Sequence, residues 1–232
     1  MRSGGVLVAA LLSASLWPAG AQAGEPWRWS GDLGVGVERT QASAPGASAR
    51  TWALPYAYGD CGPLFIREDT FGARLVPVGW GALELVGRAS TEGTDADGPG
   101  LAHRANPRPV GLGTFQETPW GGVFADAFVD TVSGGTLLEA SYAAELPAGP
   151  VTFYPQAGVT RRSARYDQHL FDVHAASTTP VLQLSAELPF AQRWVLLAHA
   201  QAEPFSRPVR ESPRADRRAR VSALVALAWR FK

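Results

Sequence analysis

Residues 166–174, with the sequence YDQHLFDVH, hold the densest group of side chains that can do chemistry. His169 and His174 lie five positions apart, with Asp172 between them. Imidazole and carboxylate groups are ligands for zinc and similar metals, so one hypothesis is a metal site. The H-E-x-x-H pattern is absent, however, and we favour a loop that binds no metal or other cofactor. Its anchors would be the apolar residues Tyr166, Leu170, Phe171 and Val173.

A serine, a histidine and two carboxylates lie on neighbouring segments further along the chain. A serine such as Ser185 can act as a nucleophile and a histidine such as His199 as a base. Glu187 and Glu203 lie close to them in sequence. Such groups form hydrolase triads, including those of barrel lipases. No lipase-like His-x-Ser motif surrounds His199, so we favour a hydrogen-bonded interior group and predict that the chain is not an enzyme.

Residues 207–220, with the sequence RPVRESPRADRRAR, are strongly basic. Six arginines stand against two acidic residues, and the guanidinium group suits bidentate contact with phosphate. The favoured hypothesis is a solvated loop in contact with phosphate groups, and the alternative is a mouth that attracts anions. The arginines singled out are Arg207, Arg210, Arg214, Arg217 and Arg218.

Two further features carry weaker signals. The carboxylates of Asp95 and Asp97 in GTDADGPG could bind calcium, but the complete pattern of a calcium-binding loop is missing. A flexible surface loop is therefore favoured. Cys61 is the only cysteine, which excludes an internal disulfide and favours a small buried or turn residue.

The start of the chain predicts export. Arg2, an apolar run over residues 6–17 and the sequence Ala21-Gln22-Ala23 match the three regions of a signal peptide, so we expect cleavage of residues 1–23. The apolar run is shorter than the roughly 20 residues of a membrane-spanning helix. Residues 24–232 would form one domain. With 21 basic and 21 acidic residues, the charge balance indicates no nucleic-acid partner.

Apolar and polar residues alternate after residue 24, in segments bounded by Gly, Pro, Asp and Ser. This period of two predicts β-strands, and no convincing amphipathic helix is evident. Twelve strands are predicted, or ten if the short pair over 62–76 is dropped. They lie near residues 28–39, 50–58, 62–68, 70–76, 79–89, 110–117, 120–130, 135–146, 150–163, 178–189, 193–205 and 217–231.

Two patterns favour a transmembrane barrel over a soluble sandwich. Aromatic residues concentrate near strand ends, as in the girdles of outer-membrane barrels. The three longest connections, 90–109, 164–177 and 206–216, all fall at one end, which matches long extracellular loops and short periplasmic turns. Unpaired backbone groups are costly in lipid, so the strands must close into a ring. The aromatic residues are Trp27, Trp29, Trp80, Trp120, Phe190, Trp194, Phe205 and Trp229.

The polar face of each strand would then line the lumen of an all-β, antiparallel up-and-down barrel. Charged residues fall on this face, while the outward faces carry none at their centres. The candidate lumen-facing residues are Glu84, Arg88, Glu139, Glu145, Glu187, His199 and Glu203.

Several stretches resemble the MltA-interacting protein / outer-membrane protein V (MipA/OmpV) family of Gram-negative bacteria. They are GDLGVGVERT (31–40), LPYAYGDCGPLFIREDTFGARL (54–75), YDQHLFDV (166–173), AELPFAQRWVLLAHAQAEPF (186–205) and ALAWRF (226–231). Within YDQHLFDV the resemblance rests on Tyr166, Phe171 and Val173. Asp172 departs from the pattern, because the family usually has glycine there.

The resemblance implies an outer-membrane β-barrel without catalytic residues. For one branch of the family it implies a scaffold between a peptidoglycan lytic transglycosylase and a murein synthase. We therefore predict an interaction protein of the cell envelope, surrounded by outer-membrane lipid and lipopolysaccharide. A small pore is the alternative, and a lipase-type enzyme is a less favoured one.

Overall fold

The computed structural model of the protein describes residues 27–41, 49–67, 69–93, 103–215 and 217–231. The predicted signal peptide, Asp95 and Asp97 lie outside the described residues.

Thirteen strand segments form the sheet, and most of the longer ones show the predicted alternation of inward and outward side chains. They are β1 (Trp29–Thr40), β2 (Arg50–Cys61), β3 (Leu64–Arg67), β4 (Thr70–Val78), β5 (Gly81–Arg88), β6 (Pro109–Thr118), β7 (Gly121–Asp130), β8 (Thr136–Ala143), β9 (Leu146–Ala148), β10 (Val151–Arg162), β11 (Ser177–Pro189), β12 (Trp194–Pro204) and β13 (Ala219–Phe231).

Strands β8 and β9 are two parts of one strand of the barrel. Both pair with β10 in one continuous register, in which Ala143 pairs with Gln156 and Leu146 with Phe153. Pro155 lies opposite the break, where it accepts a hydrogen bond from Ala144 N at 3.0 Å but has no N–H to return. The missing donor explains why the ladder is interrupted there.

The sheet closes on itself. With β8 and β9 taken as one strand, every strand pairs antiparallel with its neighbours in sequence, and β13 pairs with β1. With β8 and β9 counted as one, this confirms the predicted closed antiparallel barrel of twelve strands, including the short pair β3 and β4. All the long connections lie at one end, called here the loop end, and the connections at the other end, called the turn end, are all short.

The outer wall of the barrel is a belt of exposed apolar side chains. Val35 is 68 % exposed, and similar residues follow on strands all around the ring. Large aromatic residues border the belt at the turn end, among them Trp80, Trp120, Phe190 and Trp194. Phe205 is not part of the predicted aromatic girdle, because its side chain is buried inside the loop end.

Two helices interrupt the loop-end connections, which corrects the expectation of no helix. The first, α1, is Ala164–Phe171, and the second, α2, is Arg207–Arg210. In α1 the buried residues Tyr166, Leu170 and Phe171 follow helical spacing, a signal that is easily lost within a chain dominated by period two. Among the described residues, no helix is long and apolar enough to cross a membrane.

Candidate functional site

The loop end of the lumen is closed by a cap built around α1. Tyr166, Leu170 and Phe171 point into the barrel and pack against wall residues that include Val86 and Phe128. The Phe171 and Phe205 rings meet edge to face, with centroids 5.4 Å apart. Val173 and Val209 complete the same apolar cluster. The three signature residues, Tyr166, Phe171 and Val173, are thus all buried members of the cap.

The cap sits tightly on the turn between β7 and β8. A Cβ atom added to Gly135 would lie 2.5 Å from the backbone nitrogen of Tyr166, so only glycine allows this approach. Asp130 holds the turn, since its carboxylate accepts a hydrogen bond from Ser133 N at 2.6 Å. The hydroxyl of Ser163, just before α1, accepts one from Thr136 N at 2.8 Å. The position of α1 is therefore fixed by the backbone of its neighbours.

Asp172 joins three loops at the end of α1. It adopts a left-handed backbone conformation with φ 56°, a conformation that glycine adopts without strain. Its carboxylate pairs with Arg104, at 2.5 Å, and with Arg214. The Ser212 hydroxyl donates to the carbonyl of Phe171 and strengthens the same junction. Although burial opposes ionisation, the two guanidinium groups hold the pKa of Asp172 below its ordinary value.

Replacement of Asp172 by asparagine is expected to loosen the cap. Asparagine tolerates the left-handed conformation but cannot pair with the arginines. The partly exposed ion pairs of Asp172 with the two arginines stabilise the cap by about 1 kcal/mol. Without them, amide exchange in α1 should be roughly fivefold faster at pH 7. Because the folded-state pKa is depressed, this stability is present above the ordinary value of 3.8 and is lost as the pH falls through the folded pKa.

Hydrogen exchange measured by mass spectrometry checks this expectation. The control is Glu211→Gln, which breaks the exposed pair between Arg207 and Glu211 and should leave exchange in α1 unchanged. A difference between the Asp172 variant and the parent chain that does not shrink as the pH is lowered below 3.8 would contradict the role of the charge.

A buried ion-pair network lies directly beneath the cap. Arg162 binds both carboxylate oxygens of Glu203 and reaches Glu92 at 3.2 Å. Arg220 also contacts Glu92, and the Tyr166 hydroxyl donates to Glu92 at 2.8 Å. Burial disfavours the charge on Glu92, but Arg220 and Arg162 outweigh it and lower the pKa of Glu92. The network ties β10, β12, β13 and the β5–β6 connection to the cap.

Two more arginines bind carboxylates inside the lumen. Arg67 binds Glu84 through two hydrogen bonds of 2.9 Å, and its guanidinium lies 4.1 Å from the centre of the Phe65 ring. Arg88 contacts Glu139 at 2.5 Å and Asp69 at 3.3 Å. These pairs neutralise part of the interior charge and connect β3 with β5 and β5 with β8.

An apolar cluster lies inside the barrel toward the turn end, built from side chains of β2, β10, β12 and β13. Tyr56 and Tyr154 from the wall pack with side chains of β2, β12 and β13, and all are almost completely buried. Below them, Arg230 binds Asp32 at 2.8 Å and Glu187 at 2.7 Å. We call the apolar group the turn-end layer; its members are Leu54, Tyr56, Tyr154, Val195, Leu197, Leu224, Ala226 and Ala228.

Between the cap and the turn-end layer remains a polar cavity of about 230 Å³. Its lining includes seven carboxylate residues and four arginines, so the charge of the chamber is predominantly negative. The carboxylate residues are Glu38, Asp69, Glu84, Glu92, Asp126, Glu139 and Glu203, and the arginines are Arg67, Arg88, Arg162 and Arg220.

Ser185 and His199 meet in the wall of this cavity. The Ser185 hydroxyl lies 2.9 Å from Nδ1 of His199, on directly paired positions of β11 and β12. The neighbouring acids are occupied elsewhere, because Glu187 pairs with Arg230 and Glu203 with Arg162. The serine and histidine thus form a buried hydrogen-bonded pair rather than a triad with either glutamate.

The histidines of YDQHLFDVH do not converge on a common point. Nε2 of His169 bonds the carbonyl of Ala105 at 2.8 Å, His174 is exposed, and Asp172 binds arginines. Within the described ranges, no group of three or more His, Cys, Asp or Glu residues is arranged to hold a metal ion.

The remaining predicted residues divide between lumen and surface. Glu84, Arg88, Glu139, His199 and Glu203 line the cavity, and Glu187 is buried at the turn end. Glu145 is predicted to face the lumen from within a strand, but it lies exposed in the break between β8 and β9.

The basic loop is only partly a solvated segment. Arg207, Arg210, Arg217 and Arg218 are exposed. Arg214, by contrast, is buried and pairs with Asp172, which corrects its prediction as one of the solvated arginines. One arginine of this loop is therefore a structural part of the cap.

Sequence reasoning missed two central members of the network. Arg162 follows the exposed Arg161, and only the alternation along β10 distinguishes the inward arginine from the outward one. Glu92 lies in a connection predicted as an outside loop, and nothing in its sequence indicates that the segment turns into the lumen.

Comparison with known proteins finds outer-membrane proteins that are similar to this chain. “Putative outer membrane protein YiaT” of Escherichia coli K12 is 21 % identical over 224 residues, covering 86 % of this chain and 90 % of the relative. The protein of the same name from E. coli O157:H7 is 20 % identical over the same length. A solved structure, OmpTdeltaL8, is a loop L8 deletion mutant of the Vibrio cholerae outer membrane protein OmpT. It is 11 % identical with a TM-score of 0.33, and the match covers 84 % of this chain but only 62 % of that chain.

The family comparison spans nearly all of the barrel. The model described as “MltA-interacting protein MipA” matches residues 33–231, from β1 to the end of β13. This range contains the cap, the lumen network and the turn-end layer. The chain belongs to the MltA-interacting protein MipA family.

Proposed function

We propose that the protein is a non-enzymatic interaction protein of the outer membrane with a filled lumen. The observation that carries this proposal is the packing of the lumen at both ends, by the cap and by the turn-end layer. A barrel filled in this way offers its surfaces, and not a passage, for function. The apolar outer wall suits surrounding lipid, and the exposed arginines of the basic loop suit phosphates of lipopolysaccharide.

The partners proposed are enzymes that remodel murein. The family description names an interaction with MltA, a property of the family that we extend to this chain. A peptidoglycan lytic transglycosylase would meet the turn end, which faces the periplasm if the long loops are extracellular. The exposed turn at residues 149–150, which follows β9 and lies close to Glu145 in the chain, offers an exposed surface at this end.

Affinity capture tests the proposed partners. The full-length barrel in detergent should retain a purified lytic transglycosylase or murein synthase with a Kd in the micromolar range or tighter, since such interfaces are often small and transient. A Glu145→Arg variant reverses one charge of the proposed surface and should weaken capture about tenfold. Its control, Glu211→Arg at the loop end, should bind like the parent chain. No retention of either enzyme by the parent chain would contradict the scaffold function.

A further inference from the structure

Two carboxylates that line the lumen cavity have no arginine partner. The four arginines of the cavity bind five of its seven carboxylate residues. Among the residues that the structure describes, the other two, Glu38 and Asp126, take part in no ion pair. Charges inside a protein are normally paired or bound to an ion. Glu38 and Asp126 therefore hold negative charge that the chain itself does not neutralise.

Glu38 is a buried group whose hydrogen-bonding capacity is only half used. Its side chain lines the cavity, and the residue is 4 % exposed. One carboxylate oxygen accepts a hydrogen bond from the Thr40 hydroxyl at 2.9 Å. The other, Oε2, has no hydrogen-bond partner within the described part of the chain. Because buried polar groups are rarely left without a partner, this oxygen indicates a donor that binds from the cavity.

Asp126 lines the same cavity from the opposite wall. With β8 and β9 counted as one strand, β7 is the sixth strand from β1 in either direction around the ring. Asp126 pairs with Gly113 of β6, where a Cβ atom would collide with its carboxylate. Arg88, whose charge acts on Asp126, binds Asp69 and Glu139 instead. The two unpaired carboxylates thus belong to opposite walls of one chamber.

The separation of the two carboxylates selects the kind of cation. A metal ion needs several oxygen ligands around one point, and the described residues contain no group of three or more His, Cys, Asp or Glu arranged to hold one. A linear molecule with an ammonium group at each end can instead reach both walls. Each ammonium group supplies a compact positive charge and three hydrogen-bond donors. A cavity of about 230 Å³ admits a small, slender molecule of this kind.

We propose that the lumen cavity is a binding site for a linear polyamine, with one terminal ammonium group at Glu38 and the other at Asp126. Oε1 of Gln183, a further cavity acceptor without a hydrogen-bond partner among the described residues, suits an amine in the middle of the chain. The cavity extends to Thr40, the last residue of β1, so we expect the ligand to enter at the loop end. This inference goes beyond the proposed interaction with murein enzymes and does not depend on it.

Isothermal titration calorimetry of the full-length barrel, refolded in a non-ionic detergent, tests the site. The probes are putrescine, spermidine and spermine, with the monoamine butylamine for comparison. We expect the best polyamine to bind about tenfold more tightly than butylamine, or better, because its second ammonium group adds a charge-assisted hydrogen bond. Refolding with the amine present, followed by the shift in the thermal unfolding midpoint, removes any dependence of binding on movement of the cap.

Two variants test the two ends of the site separately. Glu38→Gln and Asp126→Asn should each weaken binding of the best polyamine about tenfold. The double variant should bind it no better than the parent chain binds butylamine. Both changes keep the size of the side chain and remove only its charge. The control is Glu211→Gln, which removes an exposed carboxylate outside the cavity and should bind like the parent chain.

Three results would overturn the assignment. They are equal affinities for the polyamines and butylamine, unchanged affinity in both cavity variants, or displacement of the polyamine by an equal concentration of magnesium. The last result would show a general attraction of cations, of the kind that salt screens at any acidic surface. If a cavity variant does not refold, the comparison of polyamines with butylamine on the parent chain still decides the question.

Discussion

Replacement of Arg162 by methionine is expected to lower the free energy of unfolding by about 3–5 kcal/mol, the range for breaking a buried ion pair. Arg162 is 5 % exposed and holds both Glu203 and Glu92. Methionine fills a similar volume but leaves Glu203 without its bidentate partner in a closed interior. Denaturant unfolding of the barrel in detergent, followed by tryptophan fluorescence, measures the loss.

Arg161→Met is a matched control from the adjacent position. Its side chain faces outward and is exposed, so in detergent the change should stay within about 0.5 kcal/mol. The double variant Arg162→Met, Glu203→Met should be more stable than the single one, because no buried carboxylate is then left without its partner. Equal losses for Arg161→Met and Arg162→Met would show that the network contributes no stability.

The parent chain is expected to give no steady current in a planar bilayer, whereas a variant that lacks both seals should conduct. We expect the cap and the turn-end layer to block the lumen in series, so removal of one seal should leave the other. Leu170→Ser with Phe171→Ser weakens the cap, and Tyr56→Ser with Tyr154→Ser weakens the layer. Only the combined variant should open a water-filled path, since twelve strands lie between the filled eight-stranded barrels and the open sixteen-stranded porins.

Ion selectivity gives this prediction a second readout. The cavity lining carries seven carboxylates and four arginines, so current through the opened barrel should prefer cations. Tyr142→Ser with Phe153→Ser is the control, because both aromatic residues are exposed on the outer wall and their loss should open nothing. Steady current from the parent chain would favour the pore hypothesis over the filled interaction protein.

The architecture of the wall was predictable because each strand repeats one simple pattern. In β12 the inward positions hold Val195, Leu197 and His199, and the exposed neighbours alternate with them. Because successive side chains of a strand point to opposite faces, the sequence of a strand shows directly which side chains share a face. The ring then follows from the cost of unpaired backbone groups in lipid, and the connection lengths give the parity of the ends.

The interior was predictable only in part. Alternation predicts that Glu84 and Glu203 face inward, but their partners, Arg67 and Arg162, come from other strands. Which carboxylate meets which arginine depends on strand stagger and side-chain length across the lumen. The sequence alone therefore predicted the polarity of the interior but not its ion pairs.

For this protein, the sequence determined the strand count, the two faces of the wall and the resemblance carried by Tyr166, Phe171 and Val173. Only the tertiary structure decided what YDQHLFDVH does there. It is largely a short helix that caps the lumen, and Asp172 binds arginines from two other loops in place of a metal. The physical reason is that strand alternation is local, whereas the cap forms between segments far apart in the chain that meet only when the barrel closes.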